Sequence, residues 1–243
     1  AGQKLINVDR VPWIFTSYSA PTLSVQPMAA SAGVLMMNGG GVSALMLNKP
    51  YLYSTRLLSN VSAEALADYG WSKGYKKMAM IYWNDPAGML SADAGGARWQ
   101  KLGGSVVADE AYEKGATDYT ASLAKIKAAK PDFIATIGSW GKDVGFIAKQ
   151  ARDMGINVPI IGVDWSPDNQ AIAGDAFEGY RYVIDFFDVN GDDPWTQKFV
   201  QAYRKKWNME PEIYGANYYE LTYILKNLIE GAQKDGKDPF KGA

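Results

Sequence analysis

The chain has 243 residues, 47% of them apolar, with 25 Lys and Arg against 26 Asp and Glu. That is enough apolar material for one large domain or two lobes, and too balanced a charge to favour nucleic acid or another polyanion as partner. It contains no Cys and no His, which excludes disulfides, thiolate nucleophiles, Cys- or His-bound metals and His-based general catalysis, and favours a protein that binds without transforming.

From the N-terminus, the stretch AGQKLINVDR lacks the apolar core of a secretory signal, so any export signal is expected to be removed or to lie outside this chain. No apolar run approaches the roughly 18 residues of a membrane span. Beyond it, short β-favouring runs alternate with longer amphipathic stretches. Strands are expected at residues 11–15, 34–37, 77–83, 105–110, 132–137, 158–162 and 180–186. Helical spacing of apolar residues marks 63–73, 92–102, 119–130 and 143–154. The strand–helix–strand order from 77 to 162 predicts an α/β fold with a doubly wound parallel sheet, because parallel strands need crossover connections. The triplet Asn60-Val61-Ser62 fits a glycosylation sequon, but it sits where a helix N-cap is expected, and capping is the favoured reading. After Phe187 the chain turns polar, with Asp193 as N-cap and Pro194 at the first helical position of a helix over 194–207. A second helix spans 213–233. No strand lies between the two, so the pair is expected to return to the lobe begun by residues 1–53.

Two strand ends carry candidate chemistry. In VLMMNGGGVSAL, residues 34–45, Gly39, Gly41 and Ala44 fit the dinucleotide pattern G-x-G-x-x-G/A. The context fails, because Pro50 and the β-favouring Tyr51 to Tyr53 leave no room for the following helix. Two readings remain: a loop whose glycines permit positive φ, or a cup whose glycines expose backbone N–H groups to an anion. In WIFTSYSAPTLS, Ser17 and Ser19 follow a strand and precede a helix expected near Pro21 or Thr22. They fit an N-cap, and they also fit an anion site. Tyr18, Trp83, Trp140 and Trp165 fall at predicted strand ends, where they suit core packing or the flat walls of a pocket.

Taken in order, KLINVDRVPWIFTSYSAPTLSVQPMAASAGVLMMNGGG, PYLYSTR, KKMAMIYWNDPAG, KPDFIATIGSWGKDVGFIAKQARDMGINVPIIGVDW and AGDAFEGYRYV resemble the type I periplasmic binding proteins, specifically the branched-chain amino acid receptors of ABC transporters. The resemblance implies a two-lobed fold of doubly wound parallel sheets with flanking helices. Lobe one would comprise residues 1–57 and 187–243, and lobe two residues 58–186. Crossings between the lobes would fall at 55–60 and 184–187. Relative to the family, the chain is expected to lack an opening strand, helix and strand, and to end before the last crossing. The implied ligand residues are Ser19 on a carboxylate, Gly39, Gly40, Gly41 and Ser43 as a second carboxylate loop, Trp140 on the cleft wall and Asp164 against a ligand ammonium. Ala87 stands where the family often has a tyrosine. Ser17, Tyr18, Trp83 and Trp165 complete the candidate set. The implied protein is a monomeric, periplasmic or otherwise extracytoplasmic receptor with no cofactor and no metal. It would close about a hinge on an amino acid with an apolar or aromatic side chain and present it to a membrane permease. A non-amino carboxylic acid, or a sensory domain of the same architecture, are the alternatives.

Overall fold

The computed structural model describes residues 1–239. The chain forms two compact units, Ala1–Arg56 with the segment from Asp185 onward, and Leu57–Ile184. Among the described residues it is α/β, and every strand pair is parallel, as the alternation of sequence periods requires.

The first unit opens with α1 (Gly2–Asn7), β1 (Trp13–Thr16), α2 (Ser19–Ser31), β2 (Leu35–Asn38) and β3 (Leu52–Ser54). The three strands form one sheet in the order β1-β2-β3. Alternation along β2 decides its two faces. Met36 packs with Ile6, Ile14 and Ala29 on the α1–α2 side. Met37 packs with Leu221 and Leu225.

The second unit holds α3 (Ser59–Ser72), β4 (Lys77–Trp83), α4 (Pro86–Lys101), β5 (Ser105–Tyr112), α5 (Thr120–Ala129), β6 (Phe133–Gly138), α6 (Lys142–Asp153), β7 (Ile160–Gly162), α7 (Pro167–Ala173) and β8 (Arg181–Tyr182). Its sheet order is β5-β4-β6-β7-β8. Helices cover both faces, so the central strands are apolar on both sides. Met78 and Met80 face a cluster with Leu66, Trp99, Phe133 and Ile137, while Ala79 and Ile81 face Leu123, Ile126, Ile134 and Ile147. Back in the first unit, α8 (Pro194–Trp207) and α9 (Ile213–Lys234) complete the chain. Leu221 and Leu225 are the α9 residues that cover the β2 face. Arg56 and Asp185, where the chain leaves and re-enters this unit, form a buried ion pair at 2.7 Å. The Arg56 guanidinium also lies 4.7 Å over the Tyr214 ring.

Several boundaries differ from the sequence reading. Helix α2 begins at Ser19, not at Pro21 or Thr22. The helix expected over 92–102 begins at Pro86, because Asp85 caps α4 by accepting from Gly88 N at 2.8 Å, with Pro86 in the first turn. Gly88 is needed there because a side chain would run into the Trp83 carbonyl. The triplet Asn60-Val61-Ser62 does not cap α3: the helix expected from residue 63 starts at Ser59, after Leu58, and takes in all three residues. The strand expected over 180–186 shrinks to Arg181–Tyr182, because its only neighbour, β7, is itself three residues long. β3 was too short to signal itself and pairs only with β2. Asp193 does cap α8, accepting from Thr196 N at 2.8 Å.

Trp99 anchors the second unit. It is fully buried, meets Trp71 and Phe133 edge-on with centroids at 5.8 and 5.3 Å, and donates from Nε1 to the Ser105 carbonyl at 3.1 Å. Replacing it, Trp99→Ala, is expected to cost about 3–5 kcal/mol in urea unfolding. Asp132, just before β6, accepts from the backbone N–H groups of Lys76 and Lys77 at 2.7 and 2.9 Å. The Lys76 bond above all holds its carboxyl below the usual carboxylate range. A lowered folded-state pKa adds stability above the unfolded value and loses it as pH falls through the folded one. Asp132→Asn should therefore flatten the acid limb of a stability–pH curve measured between neutrality and pH 3.

Candidate functional site

Parallel strands deliver all their carboxyl ends to one edge, where α/β sheets bind ligands. In the first unit, Thr16 and Asn38 pair at the ends of β1 and β2, and the loops that follow lie against each other. Asn38 organises the second loop. Fully buried, it accepts from Gly41 N at 2.8 Å and donates from Nδ2 to the Gly41 carbonyl and to Ser54 Oγ, both at 2.8 Å. Ser19, first residue of α2, accepts from Val42 N at 3.1 Å and Ser43 N at 3.0 Å through its single Oγ. Gly39 N donates to the Thr16 carbonyl at 3.3 Å, and Ser43 Oγ accepts from Leu45 N at 3.3 Å.

This geometry changes the role expected of the glycines. None of Gly39, Gly40 and Gly41 has positive φ, so the flexible-turn reading falls. Nor do they chiefly expose donors, since the N–H groups of Gly39, Gly41, Val42 and Ser43 are used within the loops. They are glycines because neighbours stand close. A Cβ on Gly41 would lie 2.9 Å from Ser19 N and 3.1 Å from its Cα, and one on Gly39 would lie 2.8 Å from the Tyr218 ring. One on Gly40 would collide with Ser17 Oγ. The most exposed residues of the two loops are Ser17 and Tyr18, the latter 76% exposed, while Gly40 and Ser19 are half-buried. The first turn of α2 adds backbone N–H groups that have no carbonyl one turn back.

In the second unit the candidates cluster at the carboxyl edge of its own sheet. Trp83, the last residue of β4, sits 5.0 Å from Trp140, which follows β6, with the rings tilted at 60°. Trp165, after β7, stacks on Tyr182 of β8 at 6.0 Å and 15°. Ala87, in the first turn of α4, is half-buried and offers only a methyl. Asp164 is 5% exposed. Its Oδ2 accepts from Gly141 N at 2.8 Å, and its carbonyl accepts from the Tyr180 hydroxyl at 2.8 Å. Burial pushes the ionisation of Tyr180 well upward, so this donor keeps its proton. The helix-cap alternative for Asp164 does not hold, because Ser166 caps α7 by accepting from Asn169 N at 3.3 Å.

Sequence reasoning missed Asn38, Asp143, Lys114, Tyr182 and Tyr218. Asn38 could have been noticed as the polar end of an apolar strand. Asp143, which accepts from Trp83 Nε1 at 2.7 Å, looks in sequence like an ordinary helix-start acid. Tyr218, whose hydroxyl donates to the Thr16 carbonyl at 2.9 Å, lies on a helix about 200 residues away and carried no signal. Among the described residues no group of three or more acidic side chains could hold a metal ion, and no helix is long and apolar enough to cross a membrane.

The family model for periplasmic binding proteins matches residues 1–242, and the chain belongs to that family. The expected kinship with the type I receptors of branched-chain amino acids is borne out by its relatives. It is 28% identical over 159 residues to the Leu/Ile/Val-binding protein homolog 1 of Brucella abortus (strain 2308), covering 64% of this chain and 42% of that protein. The chain thus spans well under two thirds of the length of that relative. The crystal structure of the leucine-binding protein LivK from Thermotoga maritima MSB8 matches with a TM-score of 0.87 at 22% identity, over 95% of this chain and 67% of that one. A solute-binding protein of an ABC transporter from R. palustris, in complex with benzoate, matches with a TM-score of 0.85 at 18% identity, over 94% and 64% respectively.

The contact between Gly41 and Ser19 yields a test. Gly41→Ala must push two backbone segments apart, an overpacking expected to cost about 1–3 kcal/mol in chemical unfolding. An unchanged midpoint would show that the two loops are not held in this close approach.

Proposed function

We propose that this chain is the solute-binding part of an extracytoplasmic receptor serving an ABC importer, and that its solute is a small carboxylate with an apolar or aromatic body. The observation that carries the reading is the serine turn at the start of α2. Ser19 Oγ accepts two backbone N–H bonds, so its one remaining capacity is to donate its proton, and accepting polarises that O–H. Ser17 and the first turn of α2 stand beside it as further neutral donors. Such a set suits an anion without burying a second full charge. The names of the relatives and neighbours support the same chemistry, since leucine and benzoate share the carboxylate.

The mechanism in this reading is hinge closure of the two units on the solute. The solute stabilises the closed state by contacts it makes only there, and a monomer presents that state to a membrane permease. Aromatic side chains at the carboxyl edge of the second sheet supply flat walls for the body of the solute. The same architecture could serve a sensory domain, but nothing among the described residues adds an effector segment.

For the other end of the solute, one observation favours a second reading. Asp164, expected against an ammonium, is buried and accepts from Gly141 N. A solute with no amine, such as an aromatic acid, needs no such partner. Calorimetric titration with leucine and with benzoate separates the two: tight binding of leucine alone supports an amino acid receptor, and of benzoate alone the non-amino acid. Ser19→Ala should weaken the bound acid by about 1–3 kcal/mol, the cost of a charged acceptor short of a donor. Ser17→Ala, which leaves the loop N–H bonds intact, should weaken it less. Full affinity in the Ser19 variant would remove this residue from the site.

A further inference from the structure

Trp83 is held by more than packing. Its Nε1–H donates to Asp143 Oδ2 at 2.7 Å, Trp140 lies 5.0 Å from its ring, and the ammonium of the exposed Lys114 stands 4.0 Å over that ring. Asp143, in the first turn of α6, is only 8% exposed. Among the described residues no lysine or arginine pairs with it. Its neighbourhood includes Tyr112 and Tyr119, themselves packed edge to face at 4.9 Å. A buried carboxylate without a cation is costly, and the helix N-terminus offsets only part of that cost.

We propose that Asp143 is a positioning residue: it fixes the rotation of the Trp83 indole, and through it the spacing of the Trp83–Trp140 pair that receives the flat body of the solute. The inference rests on the reading of the second sheet edge given under Proposed function. An indole without an edge partner turns broadly about χ2, whereas a bond from Nε1 to a buried acid selects one orientation. A wall ordered in advance need not be ordered on binding, so the free energy of contact appears as affinity. Lys114 covers part of the Trp83 ring, which leaves orientation, rather than exposed area, as the property to control.

The test uses Asp143→Ala, Asp143→Asn, Trp83→Phe and the Asp143→Ala/Trp83→Phe double variant, with Asp143→Leu in reserve if the alanine variant does not fold. In a proton–nitrogen NMR spectrum of the free protein, the indole resonance lost in Trp83→Phe should shift in Asp143→Ala and largely return in Asp143→Asn, which keeps an acceptor oxygen. Calorimetry with leucine and benzoate should show an affinity loss of about tenfold in Asp143→Ala and in Trp83→Phe, with no further loss in the double variant, because the two side chains act as one unit. A stationary indole resonance, or losses that multiply in the double variant, would overturn the assignment. Wild-type protein that binds neither acid would count against the carboxylate reading instead, while the indole resonance would still decide whether Asp143 sets Trp83.

Discussion

The close approach of two loops at the carboxyl ends of β1 and β2 is the constraint on which the first unit's chemistry depends. Parallel pairing brings Thr16 and Asn38 side by side, so whatever follows each strand must share the same small space. The solution is one serine oxygen bridging two N–H groups of the opposite loop, and glycine wherever a Cβ would meet backbone or ring. Ser19 cannot hold Val42 and Ser43 unless Gly41 lets the backbones meet. Asn38 closes the other side of the same loop with bonds to both the N–H and the carbonyl of Gly41. The glycine run is therefore a packing feature first, and the serine turn shares its sheet edge.

The second unit solves a different problem with the same topology. Its sheet is buried on both faces, and the carboxyl edge is where large side chains can leave the core without breaking it. Aromatic residues collect there in two groups, Trp83 with Trp140 and Trp165 with Tyr182. Two acids at the same edge each accept from a neutral donor: Asp143 from an indole N–H and Asp164 from a backbone N–H. Each unit keeps polar and aromatic side chains at a strand edge, the place where ligands of α/β sheets are met.

Much of this was legible in the sequence. The near-continuous apolar runs of β4 and β6 announce a sheet covered on both faces, and Asp193-Pro194 announces the start of α8, because local stereochemistry decides such features. The extents of the short elements were not legible. β3 went unread and the strand expected over 180–186 shrinks to β8, because a neighbour must supply ladder partners, and the helix expected over 92–102 starts at Pro86 because Asp85 reaches Gly88 N.

The sequence by itself determined the class of fold, the lack of imidazole and thiol chemistry, and the gathering of serines, glycines and tryptophans at strand ends, since each follows from composition or from periodicity along a few residues. Only the tertiary structure decided what those residues touch. That Gly41 meets Ser19, and that Asp164 accepts from Gly141 N, depends on contacts across 20 residues or more, as between Ser19 and Ser43 or Gly141 and Asp164. Such contacts leave no trace in local pattern, because chain segments distant in sequence become neighbours only when the sheet has formed.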